Sequence, residues 1–158
     1  MSPAGDRFPL GVNYWPRRKA MYWWSDFDRG EVAANDASVV LRVVYGEFSA
    51  LLTGDAPAAV EDALVRRWGA ALESEVLKAG HHGSSTSTTN GLLRATGAEL
   101  ALISAGRGNR YGHPHPGVLA RLDSAGVRVL RTDVHGSVVV RGDASGRIEV
   151  ERERETDG

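Results

Sequence analysis

The sequence contains no cysteine, only two lysines and no long apolar run. Without cysteine the chain has no disulfide and no thiolate nucleophile, so any metal ion must be held by His, Asp or Glu. Its longest apolar runs, residues 21–24 and 100–103, are far shorter than the roughly 20 residues of a membrane-spanning helix. The first 30 residues also lack the apolar core of a signal peptide. The sequence as written is therefore expected to be soluble.

What is present fits an ordinary globular protein. The chain has 158 residues, of which 42% are hydrophobic and 25% charged, which favours one folded domain over a fibrous or disordered chain. The net charge is −1, so affinity for phosphate groups must come from a local patch. Nearly all basic residues are arginines, whose planar guanidinium binds phosphate. Their abundance is explained equally well by codon bias.

Periodicity predicts strands that alternate with helices. Hairpins are predicted at both ends of the regular region, over 38–53 and 136–152, where β-branched runs flank short turns. Between them the pattern predicts helices over 57–72, around 92–95 and from 114 or 116 to 124, and strands over 75–79, 99–104 and 127–131. This order is typical of an α/β fold with one mixed sheet flanked by helices.

The composition changes near residue 34. Three of the four tryptophans lie within residues 1–32, and the regular pattern begins only at Ser38. We therefore predict a separate, partly disordered N-terminal segment over 1–34, a domain over 35–152 and a disordered charged tail over 153–158.

Polar residues gather where predicted strands end, which is where α/β folds place their catalytic groups. Asp55 follows Gly54 after the first hairpin, and it is either a catalytic carboxylate or a turn and helix-cap residue. His81 and His82 stand between glycines and are either metal ligands or solvated loop residues. His135 fits an ordinary turn residue and is left outside the site.

Residues 104–116 form a loop rich in glycine, arginine and histidine before a helix. Backbone N–H groups, guanidinium groups and a helix N-terminus together suit an anion such as phosphate. His113 could also protonate a leaving group. The alternative is an exposed polar connection. The residues with side chains suited to a substrate phosphate are Ser84, Arg107, Asn109, Arg110, His113 and His115.

Four segments together resemble the metallo-β-lactamase fold, and more narrowly the C-terminal domain of the ComEC family, the DNA internalisation proteins of natural competence. They are residues 35–41, 52–55, 77–84 and 104–116, in this order along the chain. The resemblance implies a partial αββα fold and a hydrolase that cleaves DNA phosphodiesters with two divalent metals, zinc or manganese. It also implies that the parent proteins are integral to the plasma membrane, with this domain outside the bilayer.

The resemblance also implies roles for individual residues. Asp55 matches the carboxylate that bridges the two metals, and either His81 or His82 matches the terminal metal ligand. His113 lies near the substrate, so Asp55 and His113 are the expected catalytic residues. The family's first metal-binding motif has no counterpart before Asn35, and no histidine precedes His81. We therefore expect an incomplete metal site and a chain that is inactive alone.

The N-terminal residues resemble a different family. Residues 10–24 are similar to the opening strand and loop of a glycoside hydrolase barrel of the bacterial β-galactosidase type. A chain of 158 residues is too short for a barrel of about 250 residues. The simplest hypothesis is a fusion or gene fragment with its junction near residues 32–35.

Two other functions stay open from the sequence. The first is a catalytically dead module that binds nucleic acid through Arg107 and Arg110. The second is a truncated, soluble metallo-hydrolase that stands alone. Because the fold normally pairs two sheet halves face to face, an exposed sheet face that drives self-association is also expected.

Overall fold

A computed structural model describes the backbone of Phe8–Leu10 and the full structure of residues 38–155. The predictions for residues 1–34, including the glycoside hydrolase resemblance and the junction, otherwise lie outside the described residues. The same holds for residues 156–158 of the predicted tail. Within the tail, Glu153 and Arg154 donate backbone hydrogen bonds to Ser137 and His135, so ordered pairing continues to Arg154.

The described residues form eight strands and four α-helices. The strands are β1 (Phe8–Leu10), β2 (Leu41–Tyr45), β3 (Phe48–Leu52), β4 (Val76–Lys78), β5 (Leu100–Ile103), β6 (Arg128–Arg131), β7 (Val138–Gly142) and β8 (Ile148–Arg152). The helices are α1 (Ala58–Trp68), α2 (Asn90–Thr96), α3 (Pro116–Ser124) and α4 (Thr132–His135). Short 3₁₀ turns cover Gly69–Leu72 and Gly80–Gly83. The predicted hairpins, helices and strands are thus confirmed, with ends that move by a few residues.

The main sheet has five strands in the order β2-β3-β4-β5-β6. β2 and β3 form an antiparallel hairpin, whereas β3, β4, β5 and β6 are mutually parallel. The predicted α/β class with a mixed sheet flanked by helices is confirmed. Because the parallel strands share one direction, their carboxyl ends and the loops that follow lie along the same edge.

Both faces of the main sheet are buried, which explains why β4 and β5 are continuous apolar runs. One face packs against α1, α2 and α3 in a core that includes Leu51, Leu77, Ile103, Leu92 and Leu122. The alternate residues point to the opposite face, where Val76, Leu100 and Leu102 are also buried. Among the described residues, no helix is long and apolar enough to cross a membrane.

The opposite face is covered by a second, antiparallel sheet in the order β1-β7-β8. Phe48 of β3 is fully buried between the two sheets, and a Cβ atom added at Gly142 of β7 would lie 2.2 Å from its ring. A second sheet thus covers the face opposite the helices, and the expectation of an exposed sheet face is wrong. The terminal hairpin buries its apolar side here, a contact between residues far apart in the chain. Self-association itself stays a prediction.

Candidate functional site at the carboxyl edge of the main sheet

Three loops meet at the carboxyl edge of the main sheet, as the sequence predicted. The backbone N–H of His81, after β4, donates to Gly54 O at 2.9 Å, next to Asp55 after β3. The N–H of His115, in the loop after β5, donates to Gly83 O at 2.8 Å. The turn with the paired histidines is therefore bonded directly to both neighbouring loops.

The histidine pair lies in a strained turn. His81 and His82 have φ values of 45° and 56°, in the left-handed region that non-glycine residues rarely adopt. The His82 ring is held by Nδ1, which lies 2.8 Å from Ser104 O and 3.1 Å from Ser104 Oγ. When Nδ1–H donates to this carbonyl, Nε2 carries the lone pair and is available to a ligand.

Gly83 closes this turn against the next loop. Its φ is +81°, and a Cβ atom at this position would lie 2.7 Å from Pro114 Cβ. Both the backbone conformation and the close approach exclude larger residues. The glycine therefore allows the histidine turn and the loop after β5 to touch.

A buried carboxylate supports the segment that follows the histidines. Glu61 of α1 is fully buried and accepts hydrogen bonds from the N–H groups of Thr88 at 2.6 Å and Thr89 at 2.8 Å. Thr88 Oγ1 in turn accepts from Gly80 N at 3.1 Å, at the start of the histidine turn. Sequence reasoning missed Glu61, although its helical spacing to Leu64 and Val65 placed a charge on the apolar face of α1.

Arg121 of α3 supports the same segment from the other side. Its Nε donates to Thr88 O and its Nη2 to Ser87 O, both at 3.0 Å. Ser84, a predicted phosphate contact, is buried within this segment, with its Oγ 3.1 Å from Thr86 Oγ1. Thr89 caps the next helix, because its Oγ1 accepts from Leu92 N at the start of α2.

Asn109 organises the loop after β5. Its Nδ2 donates to Gly106 O at 2.9 Å and to His113 O at 2.6 Å, and its Oδ1 accepts from the N–H groups of Tyr111 and His113. These four bonds use every donor and two acceptor positions of the amide. The structure thus gives Asn109 the role of shaping the loop around His113.

His113 lies between Tyr111 and the histidine turn. Its ring centroid is 6.1 Å from Tyr111 and 5.8 Å from His81, and its Nδ1 is enclosed without a hydrogen-bond partner among the described residues. Burial, and then the charges of His81, His82 and His115, lower the pKa of His113. The neutral imidazole is therefore favoured, which suits hydrogen bonding to a substrate better than donation of a proton to a leaving group.

The remaining predicted residues lie around the rim of the site. Arg110 stacks on Tyr111, with its guanidinium carbon 5.1 Å from the ring centroid, and Arg107 is exposed with its Nε 3.5 Å from Asp133 O. His115 caps α3, because its Nδ1 accepts from Gly117 N at 3.1 Å. The two arginines are thus placed to contact an anion at the surface.

A cavity of about 410 Å³ lies at the centre of this edge. It brings together His82 and His113 from the two predicted motifs, which are 31 positions apart in the chain. Its lining residues are His82, Ser104, Ala105, Gly106, Asn109, Tyr111, His113 and Thr132. Asp55 is exposed and lies beyond His81, outside this cavity.

The predicted metal ligands are of the right chemical type but too few in the structure. Asp55, His81 and His82 offer the carboxylate and imidazole donors that zinc or manganese accepts. Across residues 38–155, however, no three His, Asp or Glu side chains stand close enough to hold one metal ion. The described residues therefore do not complete a metal site, and metal binding stays a prediction.

Lys78 is a site residue that sequence reasoning passed over. It ends β4 and points toward the second sheet, where its Nζ donates to Ala79 O at 2.9 Å. Burial lowers its pKa to about 8, although the nearby negative charge of Asp55 raises it. The available signal was a charge at the end of an apolar strand, in a chain with two lysines. His135, by contrast, is buried in α4 and accepts from Arg131 N, as expected of a turn residue.

The Lys78 environment makes a prediction about stability. Because its folded pKa lies below the ordinary value of 10.5, the charged lysine costs stability below about pH 8, and this cost disappears as the pH rises toward 10.5. Lys78→Met should therefore raise the free energy of unfolding at neutral pH by about 1–2 kcal/mol, after allowance for partial exposure. Urea unfolding should show a smaller increase in the free energy of unfolding near pH 10. An increase that does not depend on pH would contradict this explanation.

The site belongs to an α/β protein whose polar loops meet at one sheet edge, and comparisons with known proteins identify its relatives. The chain is 41% identical to Competence protein ComA of Neisseria gonorrhoeae over 111 residues, which cover 70% of this chain and 16% of that protein. It is 40% identical to ComE operon protein 3 of Bacillus subtilis over 107 residues, 68% of this chain and 14% of that protein.

A third relative, Recombination protein 2 of Haemophilus influenzae, is 40% identical over 122 residues, 77% of this chain and 15% of that protein. The predicted resemblance is confirmed to this extent: the chain has homologues among these competence proteins of the ComEC type. It spans about one sixth or less of their length. Most of each match lies within the described residues, because only the two ends fall outside them. No family model matches the chain.

Proposed function

We propose that this chain carries the DNA-binding half of a nuclease domain of the ComEC type, and that its parent cleaves DNA phosphodiesters with two metal ions during DNA uptake. On its own, the chain binds a DNA strand and does not cleave it. The observation that carries this proposal is the identity of about 40% to three competence proteins over about 70% of the chain. The main sheet, with helices on one face and a second sheet on the other, fits part of an αββα fold.

The geometry of the carboxyl edge supports binding of a phosphodiester. His82 and His113 face one cavity, and Arg107 and Arg110 stand at its rim. The His113 imidazole can donate a hydrogen bond to a phosphate oxygen, and the exposed guanidinium groups of Arg107 and Arg110 attract the DNA backbone. Tyr111 is exposed beside Arg110, so the open part of its ring can contact a base.

The incomplete metal site supports the absence of cleavage by the chain alone. Metal affinity depends on the number of ligands, and the described part of the chain does not bring three together. Asp55, His81 and His82 would hold the metals only with ligands from the rest of a parent domain. There the metals would activate water for attack at phosphorus.

Binding of labelled single-stranded DNA, measured by fluorescence anisotropy over a range of salt, tests the proposal. We expect affinity to fall steeply with salt, because phosphate contacts release counterions. The double variant Arg107→Ala, Arg110→Ala should bind about 10-fold more weakly and with a salt slope smaller by about 1.4, or roughly 0.7 for each lost phosphate contact. Arg66→Ala, Arg94→Ala, which removes the same charge from exposed ends of α1 and α2, is the matched control.

The outcomes separate the possible functions. Equal weakening by both double variants would show only general charge attraction and would contradict a site at the carboxyl edge. Incubation with manganese or zinc should leave the DNA intact. Cleavage that requires metal and is lost in Asp55→Ala would instead identify a complete enzyme and overturn the proposal of a half-site.

A further inference from the structure

A second cavity opens beside the first. It measures about 260 Å³ and shares two lining residues, Ser104 and Thr132, with the cavity that contains His82 and His113. Ser104 directly follows β5 and Thr132 directly follows β6. The two cavities therefore adjoin along the carboxyl edge of the main sheet, and an extended molecule lying along this edge would enter both in succession.

The second cavity contains a charge that the proposed function has not used. Lys78 lines it, and its ammonium group uses one of three donors on Ala79 O. Within residues 38–155, no carboxylate forms an ion pair with Lys78. Two N–H donors thus remain for an external anion, and the carboxylate nearest in effect, Asp55, forms no ion pair with the ammonium.

The walls of this cavity strengthen the contact between the ammonium and such an anion, and they limit which anions fit. They are largely apolar, because Leu102, Leu130 and Val138 line the cavity on the side of the second sheet. Apolar walls lower the local dielectric constant and so strengthen an electrostatic contact. The three hydroxyl groups that line the cavity already have partners. Those of Thr132 and Ser137 donate to Ala105 O and Glu153, and Ser104 Oγ lies 3.1 Å from His82 Nδ1. Lys78 is therefore the main polar contact left. One ammonium with apolar walls suits the phosphate and sugar of a single nucleotide.

We propose that the second cavity binds the nucleotide adjacent to the one held in the first cavity, with the Lys78 ammonium on its phosphate. This inference rests on the proposed function and deepens it, because it makes two consecutive nucleotides the unit that the chain recognises. A lysine acts here as a compact point charge, which fits an enclosed position better than a broad guanidinium group.

The test compares a ligand that fills one cavity with a ligand that fills both. Thymidine monophosphate is used as a competitor, and a labelled oligothymidylate of about ten nucleotides as the direct ligand in anisotropy measurements. Lys78→Met should weaken binding of the oligonucleotide about 10-fold and lower its salt slope by about 0.7. The inhibition constant of thymidine monophosphate, calculated with the oligonucleotide affinity of each variant, should change less than about 2-fold.

Two further variants make the comparison decisive. Arg128→Met removes one positive charge from the start of β6, at the opposite edge of the sheet, and should leave both ligands unaffected. Lys78→Gln should reproduce Lys78→Met, which separates loss of charge from an effect of the methionine side chain. Thermal melting of both Lys78 variants at or above the wild-type temperature shows that they fold.

Several results would overturn the inference. Unchanged oligonucleotide binding in Lys78→Met would show that the second cavity takes no phosphate. Equal weakening of both ligands would assign Lys78 to the first cavity. A wild-type chain that binds neither ligand would contradict the proposed function itself, whereas wild-type binding without an effect of Lys78 rejects only the second subsite.

Discussion

Glu61→Ala is expected to lower the free energy of unfolding by about 2–4 kcal/mol. The substitution leaves the N–H groups of Thr88 and Thr89 without their acceptor, and each unsatisfied buried donor costs about 1–3 kcal/mol. Removing a fully buried carboxylate also relieves a desolvation cost, but relief of that cost does not restore the two lost hydrogen bonds. The loss of the two hydrogen bonds should therefore outweigh the relief of desolvation, and the variant should be less stable.

Urea unfolding followed by circular dichroism measures this effect. Glu61→Gln keeps one acceptor oxygen and should lose less than Glu61→Ala. Asp62→Ala changes the neighbouring exposed carboxylate of α1 and should alter stability by no more than about 0.5 kcal/mol. If Glu61→Ala and Asp62→Ala were equally stable, the support of residues 84–89 by Glu61 would be refuted. NMR chemical shifts of the His81 and His82 amides should move only in the Glu61 variants.

Phe48→Ala should lower the free energy of unfolding by about 3–5 kcal/mol, the usual cost of truncating a fully buried phenylalanine. The ring lies between the two sheets and contacts Gly142, which has no side chain to fill the space left behind. Loss of this contact should loosen the second sheet and expose apolar residues of the main sheet. We therefore expect the variant to self-associate through the apolar face that the second sheet normally covers.

Urea unfolding and sedimentation velocity test both parts of this prediction. Phe48→Leu keeps most of the buried volume and should lose clearly less stability than Phe48→Ala. Val44→Ala removes a half-exposed side chain from the edge strand β2 and is a control outside the interface between the sheets. A Phe48→Ala variant that unfolds like the wild-type chain would mean that the second sheet contributes little to the core.

The secondary structure was predictable because its signals are local. The turn at Gly46 between two short strands predicts the first hairpin, and Pro57 precedes the apolar spacing of α1. The apolar runs of β4 and β5 predict strands buried on both faces. None of these signals states which strands meet across the core, so the second sheet and its contact with Phe48 were not predicted.

The candidate site was predictable in its location and only partly in its roles. The Asp55 turn, the histidine pair and the loop to His115 were expected at strand ends, and they do meet at one edge. Asn109 was expected to bind phosphate, but the structure uses its amide within the loop. An amide side chain suits either role, and the choice depends on backbone geometry that the sequence does not show.

The sequence by itself determined the α/β class, the order of the elements and the edge where the polar loops gather, because these follow from local periodicity and from the direction of parallel strands. Only the tertiary structure decided that Glu61 is buried beneath the histidine turn, that Lys78 enters a cavity and that a second sheet covers the first. Those features depend on contacts between residues distant in the chain. Burial then sets the strength of each charge and hydrogen bond.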